Sequence, residues 1–189
     1  MRGKSWFILM VALCLASVPA AASTFVHMPQ HELVANTDAL VQGKVIDLRS
    51  SWNESGQIII TEAVVAVEET LLGQSVPATV TVRTAGGQVG DFRVEAHGFP
   101  QFELGERVLL FLEDGENATM RVVGYQQGHY RVVERLDGVT LAVPQIEDGA
   151  RFFTPSGQLA PAARSIEINT FKNIVRSTAL EVGRSLTTE

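Results

Sequence analysis

Four histidines carry whatever acid–base or metal chemistry this sequence can support: His27, His31, His97 and His129. His97 stands at the end of a polar/apolar alternation and shares its parity with Asp91 and Glu95, so the three could face solvent together. His129 lies in another turn-rich stretch that a curved sheet could bring near His97. A histidine beside carboxylates is the minimum for general acid–base hydrolysis, but the chemistry also needs a nucleophile or second acid at a fixed distance. His27 and His31 have the four-residue spacing that puts two imidazoles on one helical face, with Glu32 adjacent. Pro29 interrupts that face, and a zinc site wants three or four ligands. No Gly-x-Ser-x-Gly, His-Glu-x-x-His or Cys-x-x-Cys motif occurs. We therefore assign no catalytic, cofactor-binding or metal residue, and read the chain as non-enzymatic.

The run Gly86-Gly87-x-x-Gly90 poses a sharper question, because glycines at such spacing can cradle a phosphate. A phosphate loop must feed a helix whose N-terminal amides hold the anion. Here the flanks alternate with period two: Val80 and Val82 point one way, Thr79, Thr81 and Arg83 the other. After the glycines, Phe92, Val94 and Ala96 oppose Asp91, Arg93 and Glu95. The glycines are thus expected to turn a hairpin. Aromatic residues in polar turns offer a different chemistry, that of partner anchoring. Trp52 stands in SSWNESG, and Tyr125 and Tyr130 flank a Gly-His stretch. These three are the candidate partner-binding residues.

The elements that must position them are mostly strands. Ala39–Trp52 and Gln57–Glu69 alternate, with Ala39, Val41, Gly43 and Val45 on one face, and Ile59, Thr61, Ala63, Val65 and Val67 on another. Extended runs of this length suit a curved strand around a small barrel. RVLLFLED, residues 107–114, is apolar on both faces, as a central strand in a packed layer should be. MRVVGYQQGHYRVV, residues 120–133, predicts a bent hairpin relieved by Gly124 and Gly128, and Val139–Val143 predicts one more strand. Pro29–Asn36 predicts a short helix. Asn169 is a candidate cap for a C-terminal helix whose apolar face holds Phe171, Ile174, Val175, Thr178, Ala179 and Val182. Residues 144–163 predict irregular wrapping and 183–189 a frayed tail. The sum is an all-β fold with flanking helices: one small, curled, OB-like barrel domain over residues 23–182.

The first 22 residues have the layout of a secretory signal peptide: Arg2 and Lys4, then an apolar run, then small residues ending at Ala22. The apolar run is short for a retained span, and no second one follows. Periplasmic or secreted location is the expectation, with no membrane span after cleavage. Cys14, the one cysteine, falls inside the leader, so the mature chain has no disulfide partner. It would carry 13 basic against 21 acidic residues. Without a basic cluster it lacks the counterion-releasing surface that nucleic acid requires.

DALVQGKV (38–45) and FELGERVLLFL (102–112) resemble the framework of netrin-like domains, the group that includes the tissue inhibitors of metalloproteinases and bacterial secreted relatives. The resemblance spans roughly Pro29 to Val133 and implies a five-stranded OB-type barrel flanked by helices. The family's inhibitors grip zinc with the amine and carbonyl of an N-terminal cysteine, which this chain lacks; it would begin near Ser23. No inhibitory residue carries over. The leading expectation is an exported module that binds a protein or a cell-envelope component. A protease inhibitor acting through its mature N-terminus and a hydrolase with a His/carboxylate site are the alternatives.

Overall fold

A computed structural model describes residues 23–184 and 186. The expected leader, with Cys14, and residues 187–189 lie outside the described residues. In chain order the elements are β1 (Thr24–Val26), α1 (Gln30–Ala35), β2 (Ala39–Trp52), β3 (Ile59–Leu72), β4 (Thr79–Ala85), β5 (Gly87–Val89), β6 (Phe92–Val94), β7 (Arg107–Asp114) and β8 (Met120–Val122). A 3₁₀ turn (Tyr125–Gly128) follows, then β9 (His129–Glu134), β10 (Thr140–Pro144), β11 (Arg151–Phe153), β12 (Ile166–Glu167) and α2 (Ile168–Glu181).

Five strands close on themselves. β2 pairs antiparallel with β3 and β7, β3 with β4, and β7 with β8, while β4 meets β8 in parallel at Val82↔Met120. The ring β7-β2-β3-β4-β8 is a small barrel, consistent with an OB-like one, and β9, β10 and β12 extend its sheet beyond β7. Closure demands that the long β2 curl, and register shifts at Leu40/Val41, Gln42/Gly43 and Val45/Asp47 supply the bends. Gly43 is required at one of them, since a Cβ there would overlap the Ala66 carbonyl oxygen. At the far end of the β2–β3 hairpin the Asn53 side chain folds the turn, its Oδ1 accepting from the amides of Gln57 and Ile58 at 2.9 and 3.1 Å.

The period-two alternation divides the apolar residues between two cores. Val41, Val45, Ala63, Val65, Val80 and Val82 fill the barrel with Val108, Leu110 and Leu112. Leu109 and Phe111, on the other face of β7, pack outside it against Leu33 and Val34 of α1 and Phe171, Val175 and Ala179 of α2. Each fully buried side chain of this kind contributes about 1.5–3 kcal/mol. α2 is a covering helix, as its periodicity predicts, with two differences. Ile174 is exposed, and Lys172 takes an inward place because its ammonium meets Glu69 at 2.5 Å. The helix is capped by Glu167, whose carboxylate accepts from the amides of Asn169 (2.9 Å) and Thr170 (2.7 Å). Asn169 is therefore inside the first turn and not the cap.

Two further expectations are corrected. Residues 120–133 form no hairpin: β8 and β9 are two pieces of one broken strand, both antiparallel to β7, because Gly124 and the 3₁₀ turn make an excursion and return to the same edge. The alternation after the glycines sorts Phe92, Val94 and Ala96 from Asp91, Arg93 and Glu95, yet β5 and β6 form a separate two-stranded sheet whose β6 side chains are exposed on both faces. The tail, where described, is tied back: Arg184 donates to the Thr37 carbonyl, and Leu186 bridges Leu72. Among the described residues no helix is long and apolar enough to cross a membrane.

Candidate interaction surface

The broken strand builds the most distinctive surface of the molecule. Val122 is opposite Leu112 and His129 is opposite Leu110, so residues 123–128 all stand against Phe111. Val123 returns one bond, donating to the Phe111 carbonyl at 2.9 Å. Gly124 then turns left-handed (φ 66°), and Tyr125 follows it with φ 58°. A non-glycine residue held there costs about 1–3 kcal/mol, which the surroundings must offset.

They do so through two glutamines. The backbone of buried Gln126 donates to the Gly98 carbonyl at 3.0 Å, and its Oε1 accepts from the Glu147 amide at 2.9 Å. Gln127 reaches the N-terminal segment, its Oε1 accepting from Met28 N at 2.9 Å while its Nε2 donates to the carbonyls of Val26 and Gly124. Tyr125 itself is free to project and is 54 % exposed. Its ring stands edge-on to Phe99 at 5.0 Å, and Phe99 is 37 % exposed.

The Phe99 side of this ridge is fixed as firmly. Gly98 (φ 81°) lies flat on the Phe25 ring, which a Cβ there would overlap, and Phe25 stacks on Phe152 at 5.5 Å. The pairing of β1 with β11 holds those two rings in register. Glu147 ties the strand end down, one oxygen meeting His97 Nδ1 and the other accepting from Gly98 N at 3.1 Å. The two aromatic pairs, Phe152–Phe25 and Phe99–Tyr125, thus meet at Gly98 and are drawn from four separate stretches of chain.

The remaining sequence-predicted residues fall elsewhere. Tyr130 points inward: its ring packs at 4.7 Å from Phe171 and 6.1 Å from Phe111, and burial pushes its hydroxyl up to about 12. It does not join Tyr125 on the surface, because β9 has returned to β7 at Tyr130, opposite Leu109, where the ring packs on the helix-covered core. Trp52 is 40 % exposed and makes a separate aromatic pair with Phe92 at 5.8 Å.

The two histidines do not meet in one solvent-facing site. His97 is exposed and bound to Glu147, while Glu95 turns to Arg93 at 3.5 Å. His129 is wholly enclosed, opposite Leu110 and 4.8 Å from the Phe102 ring, with no partner for either ring nitrogen. Burial, with a smaller push from Arg131, lowers it to about 3. Among the described residues no group of three His, Cys, Asp or Glu could hold a metal. After Gly90 comes strand β6 and no helix, and it is Gly90 that stands in the β5–β6 turn; Gly86 instead links β4 to β5, and Gly87 opens β5 opposite Val94. Gly86 and Gly87 border a cavity of about 250 Å³ lined also by Thr84, Arg93 and Phe102. Ser23, near the expected mature N-terminus, has its carbonyl engaged by Arg151 N at 2.8 Å.

Phe99 falls within a stretch that the alternation marks as a loop, but its role is not legible there. Phe25, Phe152, Gln126 and Glu147 give no signal, since their partners are distant in the chain. Comparison with models of protein families, with curated proteins and with solved structures finds no match for this chain.

Proposed function

We propose that this chain is an exported, non-enzymatic module that binds a protein or another cell-envelope component, with Tyr125 and Phe99 as its anchor. One observation carries the reading: an exposed tyrosine is held in a strained backbone conformation by hydrogen bonds of the two glutamines that follow it, Gln126 and Gln127. Strain kept at an exposed aromatic has no use in packing, whereas a rigid aromatic loses little freedom on capture. Aromatic anchors of this kind dominate binding energy at interfaces. The leader-like first 22 residues support export, and the netrin-like motifs agree with a barrel that presents loops to partners.

The inhibitor alternative gains nothing from the N-terminal geometry, because the Ser23 carbonyl is already bonded to Arg151. The test is quantitative capture from the protein's own envelope fraction, with wild type, Tyr125→Ala and Phe99→Ala run side by side. An anchor worth about 2 kcal/mol predicts at least tenfold less partner on each variant. Equal recovery on all three, with folding unchanged by circular dichroism, would refute the reading.

A further inference from the structure

The enclosed histidine and the exposed aromatic pair are served by the same two pieces of chain. The 3₁₀ turn that presents Tyr125 ends at His129, where β9 rejoins β7 opposite Leu110. The chain between β6 and β7 presents Phe99 to Tyr125 and, three residues on, lays Phe102 on the His129 ring at 4.8 Å. These two covers of the imidazole are held differently. Leu110 belongs to the ladder of β2, β7 and β9. Residues 98–104 belong to no strand. Gln126 N donates to Gly98 O at 3.0 Å, Thr84 Oγ1 donates to Pro100 O at 2.8 Å, and Arg131 meets the exposed Glu103 at 3.1 Å. Gly105, at φ 86°, ends the segment, with its amide on Val45 O at 2.8 Å. Phe102 also lines the cavity of about 250 Å³, so its ring has room to move off the imidazole.

We propose that acid opens this segment: protonation of His129 lifts residues 98–104 off the barrel, parts Phe99 from Tyr125 and so releases a captured partner. The release rests on the binding role proposed above; the opening does not. In the closed state a charged ring would have no acceptor for either N–H and would stand near the Arg131 guanidinium. The other charges on that side are Glu103 and Glu106, from the covering chain, and both are bonded to Arg131. β7 offers the apolar Val108 and Leu110, and Gln145, after β10, bonds the His129 carbonyl. Burial first, and Arg131 second, keep the closed ring neutral down to about 3, whereas an uncovered ring takes a proton near 6.5. The open state therefore binds more protons, and from pH 7 to pH 5 its population grows about 25-fold. Burial raises the Glu106 carboxyl, which favours the closed state in acid and opposes the change. His97 and Glu147 fasten the start of the segment. Glu106, His97 and Glu147 are all retained in the variants that test the idea.

Amide hydrogen exchange, on protein made from the full coding sequence and processed by its host, reads the opening without any partner. The reporter is the Gln126 amide, which is bonded to Gly98 O, and the reference is the Val65 amide within the barrel. After correction for the intrinsic pH dependence of exchange, Gln126 in the wild type is expected to be less protected than Val65 at pH 7 and at pH 5. Its protection is expected to fall about 25-fold between the two. His129→Leu and His129→Gln each put a side chain there that stays neutral throughout, and either is expected to show no such fall. Equal protection of Gln126 and Val65 would mean that the segment opens only with the whole barrel. An equal fall in wild type and variants would mean that another group titrates. Either result overturns the proposal. Partner captured at pH 7 is then expected to elute at pH 5 from the wild type and to stay on His129→Leu; the same behaviour on both chains overturns the release. Capture of nothing at pH 7 refutes the binding role instead, and the exchange data still decide the opening.

Discussion

Acid reaches this protein through an imidazole that the fold keeps uncharged. His129 is free to protonate in the unfolded chain at its ordinary value near 6.5, but not in the folded state until about 3. Between those values the unfolded state binds more protons than the native one, so stability rises with pH and is lost as pH falls from 6.5. At pH 5 the difference amounts to about 1.5 proton-affinity decades, or about 2 kcal/mol at 1.36 kcal/mol each. For a chain of this size that lowers the melting temperature by about 4–8 °C relative to pH 7. Glu106 acts in the opposite sense, because burial raises its carboxyl despite bonds from Glu103 N and Arg131. Its contribution is present below the ordinary carboxylate range and fades as pH rises. Glu68, held low first by Arg107, loses its contribution only below that range, outside the window. The informative quantity is therefore a difference between chains. His129→Leu removes the titrating ring and both unpartnered nitrogens while keeping an apolar neighbour for Phe102 and Leu110. It should match or exceed the wild type at pH 7, as apolar replacement of an unsatisfied polar group allows. Between pH 7 and pH 5 it should lack the decline of about 4–8 °C. Thermal melts of both proteins by circular dichroism across that range decide the matter: parallel curves would show that the ring is not held neutral by the fold.

Two more outcomes follow from the same contacts. Gly98→Ala forces a Cβ into the Phe25 ring at a left-handed φ, and should cost about 2 kcal/mol or more in chemical denaturation while raising protease sensitivity near residues 97–99. Glu167→Ala removes the cap of α2 and should lower the denaturation midpoint while leaving the slope unchanged.

The barrel is legible in the sequence because its strands obey period two: the inward sets on β2, β3 and β4 that alternation predicts are the ones that fill it. The double-sided apolar run at 107–114 likewise announces a central strand, and the structure sets its two faces against different cores. What escapes depends on contacts between distant residues. Alternation at 91–96 matches that of a buried strand, yet nothing in the sequence says whether a layer covers it, and none does. Glu167 displaces Asn169 as cap because boundary position, not residue type, decides which side chain reaches the first amides. In the binding surface Tyr125 stands out by its turn-like setting. Tyr130, five residues on, is not distinguishable from it by sequence, since only the return of β9 to β7 determines which ring turns inward.

The excursion opposite Phe111 has a consequence for how this scaffold can diversify. Its two ends are clamped separately, by Leu112 on one side and Leu110 on the other, so the ladder resumes wherever the intervening chain ends. The barrel's register is therefore set on either side of the excursion, whereas a segment of other composition there would give up the Gln126 and Gln127 bonds to Gly98, Glu147, Val26 and Met28. The molecule thus keeps its framework and its tip under separate control.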